Sequence, residues 1–191
     1  MKQLILTAAL IATPTLVAAQ SVPPPATYVM KAGASDQYEI QSSNLVMATT
    51  KNAELKQFAT MMVSDHNKST ADVKAAATQS GLTPKPPMLD PMGRKNIAAL
   101  KASKGPARDA LYVKQQKTAH QQALALHQGF ATSGSAPALK QVASTIAPTV
   151  QHHIEMLASM QRQTSTRFGG SRSLVMPDCK IARRSAERCR R

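Results

Sequence analysis

The chain has 191 residues, of which 3% are aromatic and none is Trp, and a formal net charge of +14. That length suffices for one domain with a real core. A supply rich in Ala, Leu, Met, Gln and Lys with so few aromatics excludes a β-sandwich in favour of closely packed helices, an all-α fold. The charge is uneven: from Arg162 onward nine Lys or Arg face only Asp178 and Glu187, so half of the excess lies at the C-terminal end and says little about the folded part.

The chain opens on MKQLILTAALIATPTLVAAQ, with Lys2, an apolar run from Leu4 to Val17 and then Ala18-Ala19. This is the layout of a secretory signal peptide, with cleavage expected after Ala19. The apolar run is short for a bilayer span and Pro14 interrupts it, which disfavours a membrane anchor. No Cys follows the cut to carry a lipid, and no later stretch is apolar enough to cross. Residues 1–19 are thus expected to be removed and the mature protein to reside in the periplasm.

Residues 20–26 contain VPPP and read as an extended leader. A first helix is expected from Thr27 to about Thr50, with Tyr28, Ala32 and Val46 on one broad face, Val29, Ile40 and Met47 flanking, and Glu39 projecting into it. Thr50-Lys51-Asn52 makes a tight connection, and Asn52 is suited to cap the next helix. In that second helix Leu55, Phe58, Ala59, Met62, His66, Ser69 and Val73 alternate at three- and four-residue spacing, one face of a long amphipathic helix. His66 falls near the middle of that apolar face and Asp65 to one side. Gly81 is a good terminator after Ser80.

Leu82–Gly105 is a long connection: Pro84, Pro86, Pro87 and Pro91 exclude a regular helix in its first part, Met92–Ala102 can add a short one, and Gly105-Pro106 breaks it. A third long helix is expected from Ala107 to Ala131. Its stripe is Tyr112, Ala119, Ala123, Leu126 and Phe130, Val113 and Leu124 form an edge, and Gln116, His120 and His127 lie between the two groups. After the turn Thr132–Ser135, a fourth runs from Pro137 to Gln161 with Leu139, Val142, Ile146, Val150, His153 and Leu157 on one face; Pro148 is expected to kink or restart it. Residues 27–161 therefore form a four-helix bundle, and residues 162–191 a basic, solvated tail. Cys179 and Cys189 could close one small bridge there in an oxidising compartment. The tail's charge suits contact with anionic surfaces, but without interleaved aromatics it does not suggest a specific nucleic-acid partner.

Each long helix thus presents one metal-capable side chain inward: Glu39, His66, His120 and His153. Counted from the turns at about 1.5 Å per residue, the first three are level within a few ångströms and His153 lies about a turn further on. Four such groups could converge on a mid-bundle site for a divalent transition metal such as zinc, copper or iron, with His127 and Asp65 as possible additions. The competing reading is a hydrogen-bonded core in which Glu39 and the histidines satisfy one another without metal. His152 and Glu155 face solvent, and no Glu-x-x-His pair of di-iron bundles occurs. Nor is there a nucleophile–base set, a nucleotide loop or a glycosidase-like carboxylate pair, so an enzyme has no support.

The runs YEIQSSNLVMATTKNAELKQFATMMVSDHNKS, YVKQQKTAHQQALALHQGFA and TIAPTVQHHIEML resemble the exported bacterial family called domain of unknown function 4142. The resemblance covers roughly Tyr28–Met160 and is most specific around Asp65-His66 and Ala119-His120. It implies export and a ferritin-like four-helix bundle whose recurrent acidic and His positions fall on Glu39, His66, His120 and His153. Arg108 departs from the family's tendency to an aromatic before Asp109. Two functions follow as expectations: a periplasmic metal-binding bundle for storage, buffering or protection, or a non-enzymatic envelope protein whose buried polar cluster only fixes helix register.

Overall fold

The computed structural model describes residues 22–169, with side chains as far as Arg162. The expected signal segment and all of the tail beyond Gly169, including both cysteines, lie outside the described residues. Five helices follow in order: α1 (Pro25–Met47), α2 (Ala53–Gln79), α3 (Pro91–Ala102), α4 (Gly105–Ser133) and α5 (Pro137–Gly169). Among the described residues no helix is long and apolar enough to cross a membrane.

Local chemistry sets the boundaries. Asn52 Oδ1 accepts from the backbone N–H groups of Glu54 and Leu55, which opens α2 as its sequence anticipates. At the other end Gly81 takes φ 75°, its N–H donates to Thr78 O, and Leu82 N–H reaches back to Ala77 O. This pairing needs a left-handed residue, which only Gly adopts without cost. Asp90 accepts from Gly93 N–H at 2.6 Å and starts α3. Arg108, the family departure, donates through Nε to Leu100 O and Ser103 O and so closes the C-terminal end of α3. Two expectations are adjusted: α5 is uninterrupted across Pro148, and it continues past Gln161 to Gly169.

The two apolar clusters reveal the direction of each helix. One joins Tyr28 and Ala32 at the start of α1 with Val73, Ala76 and Ala77 at the end of α2, Phe130 at the end of α4 and Leu139 and Ala143 at the start of α5. The other joins Val46, Leu55, Phe58, Tyr112 and Leu157 with Ile97 and Leu100 of α3. Hence α1 and α5 run one way and α2 and α4 the other, and the segment between α2 and α4 must traverse the whole bundle. Helices α1, α2, α5 and α4 pack in a ring in that order, with α3 laid across α1 and α4. The proline-rich connection is held close to α1 where Gly33 leaves room, since a Cβ there would sit 3.0 Å from Pro87 Cβ.

Burial of these end clusters supplies the stability, about 1.5–3 kcal/mol for each large side chain removed from water. Between them lies a different layer. Asp36, Glu39, Ser42, Ser43, His66, Ser69, Gln116, His120, His127 and His153 are all buried, a concentration of polar groups that a core tolerates only when it is hydrogen-bonded or ligated.

Candidate metal centre

The inward face of α4 shows how the sequence builds this layer. Tyr112, Gln116, His120, Ala123, His127 and Phe130 are its buried residues, spaced four, four, three, four and three. Half of this stripe is polar and the apolar Ala119 and Leu126 are only half-buried, so a search for apolar residues places the face slightly to one side of its true centre. The same holds in α1, where Ala32, Asp36, Glu39, Ser43 and Val46 mark the stripe.

His66 Nδ1 lies 2.8 Å from Asp36 Oδ1, and Thr70 Oγ1 donates to Asp36 Oδ2 at 3.0 Å. A carboxylate only accepts, so the His66 Nδ1 carries its proton and Nε2 is the ligand-type nitrogen. His120 Nδ1 donates to Gln116 O at 2.9 Å, which leaves the lone pair on Nε2. His153 Nε2 donates to Asp65 Oδ2 at 3.0 Å, which leaves the lone pair on Nδ1. Each ring is thereby fixed through one nitrogen and turned inward through the other. One ring nitrogen from each of His66, His120 and His153 lies within 4.8 Å of the others, and His120 Nε2 stands 3.3 Å from His153 Nδ1.

The electrostatics divide the three. Burial and the neighbouring imidazoles push His120 down to about 3, and burial likewise lowers His153. For His66 burial also acts downward, but the bond to Asp36 and the charges of Asp36, Glu39 and Asp65 outweigh it, and its pKa lies above the ordinary value.

Glu39 is fully enclosed, its Oε1 is 3.7 Å from His120 Nδ1, and neither carboxyl oxygen has a hydrogen-bond partner. Burial pushes this carboxyl up to about 7 despite the opposing charge of His66. Of the four residues singled out in the sequence, the structure brings the three histidines together and leaves Glu39 beside the trio, at the nitrogen of His120 that faces away from His153. Of the Glu39–His pairs in the competing reading, only the 3.7 Å contact with His120 occurs, and it is Asp36 that holds His66. Asp65 is the partner of His153 and remains part-exposed. His127 sits apart with Tyr28, whose hydroxyl is 2.9 Å from His127 Nδ1, and burial lowers this imidazole to about 4. Sequence reasoning passed over Asp36. The signal was present: Asp36 is four residues after Ala32 and three before Glu39, on the inward stripe.

The donors fit a transition metal. Imidazoles are borderline donors of the kind zinc, copper and iron accept, and His66, whose pKa is raised, would give up a proton on binding one. A tetrahedral ion with bonds of about 2.0–2.1 Å spaces its nitrogens about 3.3 Å apart, and His120 and His153 already stand at 3.3 Å. His66 Nε2 is buried without a hydrogen-bond partner.

Comparison with known proteins places the chain in context. Residues 12–160 match the family described as "Domain of unknown function (DUF4142)". No curated protein matches. The fold is similar to that of a DUF305 fragment from Deinococcus radiodurans, with a TM-score of 0.64 at 13% identity, covering 74% of this chain and 99% of that one. It is also similar to a DUF305 protein from Streptomyces coelicolor, described as presumed to be secreted, with a TM-score of 0.62 at 13% identity over 73% of this chain and 91% of that one. At such identity the likeness concerns the all-α bundle alone.

Proposed function

The chain belongs to the DUF4142 family, and from that premise we propose that it is an exported helical-bundle protein that binds one divalent transition metal through His66, His120 and His153. The observation that carries this reading is the arrangement of the rings: each has one nitrogen anchored, by Asp36, the Gln116 carbonyl or Asp65, and one ring nitrogen of each lies within 4.8 Å of the others. Such anchoring fixes the tautomer and raises the basicity of a metal-ligating imidazole. In this role the bundle stores, buffers or sequesters the ion, the ferritin-like frame holding the ligands on three rigid helices, α2, α4 and α5. Export is supported by Lys2, the apolar run and Ala18-Ala19, and agrees with the description of the Streptomyces coelicolor structure.

A second reading has one observation in its favour: Asp36–His66 and Asp65–His153 are already good hydrogen bonds and could serve only to fix helix register. It leaves the unpartnered His66 Nε2 unaccounted for. Thermal unfolding of tag-free, chelator-treated protein with added zinc, copper(II) or iron(II) separates the two. A ion bound only by the folded state at a hundred times its Kd stabilises by about 2.7 kcal/mol, so the melting temperature should rise in the wild type and not in His66→Ala. Equal behaviour of the two proteins with every metal would refute the metal reading.

A further inference from the structure

A small cavity of about 20 Å³ adjoins the trio. Among its lining residues are Asp36, Asp65, His66, Ser69, His127 and His153, whereas neither His120 nor Glu39 borders it. The space lies away from His120 and Glu39 and is lined from all four long helices. Its volume suits about one water molecule. Two of its lining residues each carry a buried polar atom with no hydrogen-bond partner, His66 Nε2 and Ser69 Oγ. They come from one helix face: Ser69 is three residues after His66, so both side chains project to the same side of α2. The part-exposed Asp65 and the exposed Thr149 also line the space and connect it toward solvent.

His127 also borders the space, and its ring is bonded to Tyr28. Tyr28 is held protonated by burial, its pKa well above the ordinary phenol value. Its hydroxyl lies 2.9 Å from His127 Nδ1. The cavity is thus bordered by one unpartnered group able to donate, the Ser69 hydroxyl, and by two of the histidines that would hold an ion.

We propose that the metal position is open rather than closed: the three histidines supply three ligands, and the fourth position faces this cavity and takes one small exogenous ligand of the class of water, hydroxide or a small anion, with the Ser69 hydroxyl as its hydrogen-bond donor. The proposal rests on the metal reading above. Three imidazoles plus one exchangeable ligand is the arrangement that distinguishes reactive zinc-type sites from four-ligand structural ones. Glu39 does not fill the fourth position, because it stands at His120 Nδ1 and outside the convergent group. The size of the cavity restricts the exogenous ligand to a few atoms and excludes an organic substrate of ordinary size.

Cobalt(II) loaded into the full mature protein tests this, because its visible bands report coordination number and ligand exchange. The wild type should show ligand-field bands that shift saturably as sodium azide is added. Ser69→Ala, which keeps the space and removes the hydroxyl, should still develop the cobalt bands but bind azide about tenfold more weakly. Ser69→Leu, checked for intact helicity by circular dichroism, should develop the bands and lose the azide response. If Ser69→Leu does not fold, Ser69→Ala alone decides. Cobalt bands indifferent to azide in the wild type would mean a closed site, and unchanged azide affinity in Ser69→Ala would mean a ligand entering elsewhere; either overturns the proposal while leaving the metal reading intact. Absence of cobalt bands before azide is added would instead overturn the metal reading itself, and this proposal with it.

Discussion

His120 Nε2 and His153 Nδ1 face each other at 3.3 Å. The proton of His120 is committed to Gln116 O and that of His153 to Asp65, while both imidazoles are held neutral by burial. Two lone pairs in contact repel unless something electropositive stands between them. A proton or a metal ion serves; a hydrophobic neighbour does not. This contact is therefore the point at which a shared proton or a metal ion would sit.

The anchoring of His66 is open to direct test. Asp36→Asn removes the charge that holds Nδ1–H and keeps the shape. Metal affinity should fall by about 10–100-fold, read by competition with a chromophoric chelator, while helicity is retained. An unchanged affinity would show that Asp36 does not position the ligand.

The pH response of metal-free protein should depend on Glu39. His120 and His127 have folded values of about 3 and 4, below the ordinary histidine value. Between about pH 6.5 and 4 the unfolded chain therefore binds more protons at these residues, and their contribution to stability is lost as pH falls. Glu39 acts in the opposite sense: its folded value of about 7 lies above the ordinary carboxylate value, so the folded state binds the extra proton and gains stability as pH falls from about 7 to 4.5. Glu39→Gln removes the opposing effect. Its melting temperature should drop more steeply than that of the wild type on acidification from pH 7 to 5; parallel curves would place the Glu39 carboxyl in an ordinary titration range.

Tyr28→Phe isolates one hydrogen bond. The ring stacks on Phe130 with centroids 4.0 Å apart and would continue to do so, but His127 Nδ1 would lose its buried partner. The expected cost is about 1–3 kcal/mol, seen as a lower midpoint in urea at unchanged slope. No change in midpoint would mean that another group takes over the bond.

Among the described residues, the last that packs on either apolar cluster is Met160, and the last of the polar layer is His153. Removal of residues 170–191 should therefore leave the melting temperature within a few degrees. A large fall would assign a packing role to the basic segment.

The sequence determined the architecture because the signals for it are local and redundant. The stripe from Leu55 to Val73, the cap at Asn52, the stop at Gly81 and the run of prolines after it each mark an element boundary by a short-range cause, and the structure places them accordingly. Helical spacing likewise turned His66, His120 and His153 inward, since period alone settles which side of a helix a residue occupies. It could not settle which neighbour each would meet. Glu39 and Asp36 lie on one face of α1, three residues apart, and only the packing of α2 against α1 decides that Asp36, rather than Glu39, reaches His66. Likewise Asp65, read as lying beside the stripe of its own helix, becomes the partner of His153 because α2 and α5 are neighbours in the ring. Rotation about a helix axis is written in the spacing of residues. Partnership between helices depends on their relative height and on which are adjacent, and those are fixed by the long traverse between α2 and α4 and by burial of the two end clusters together.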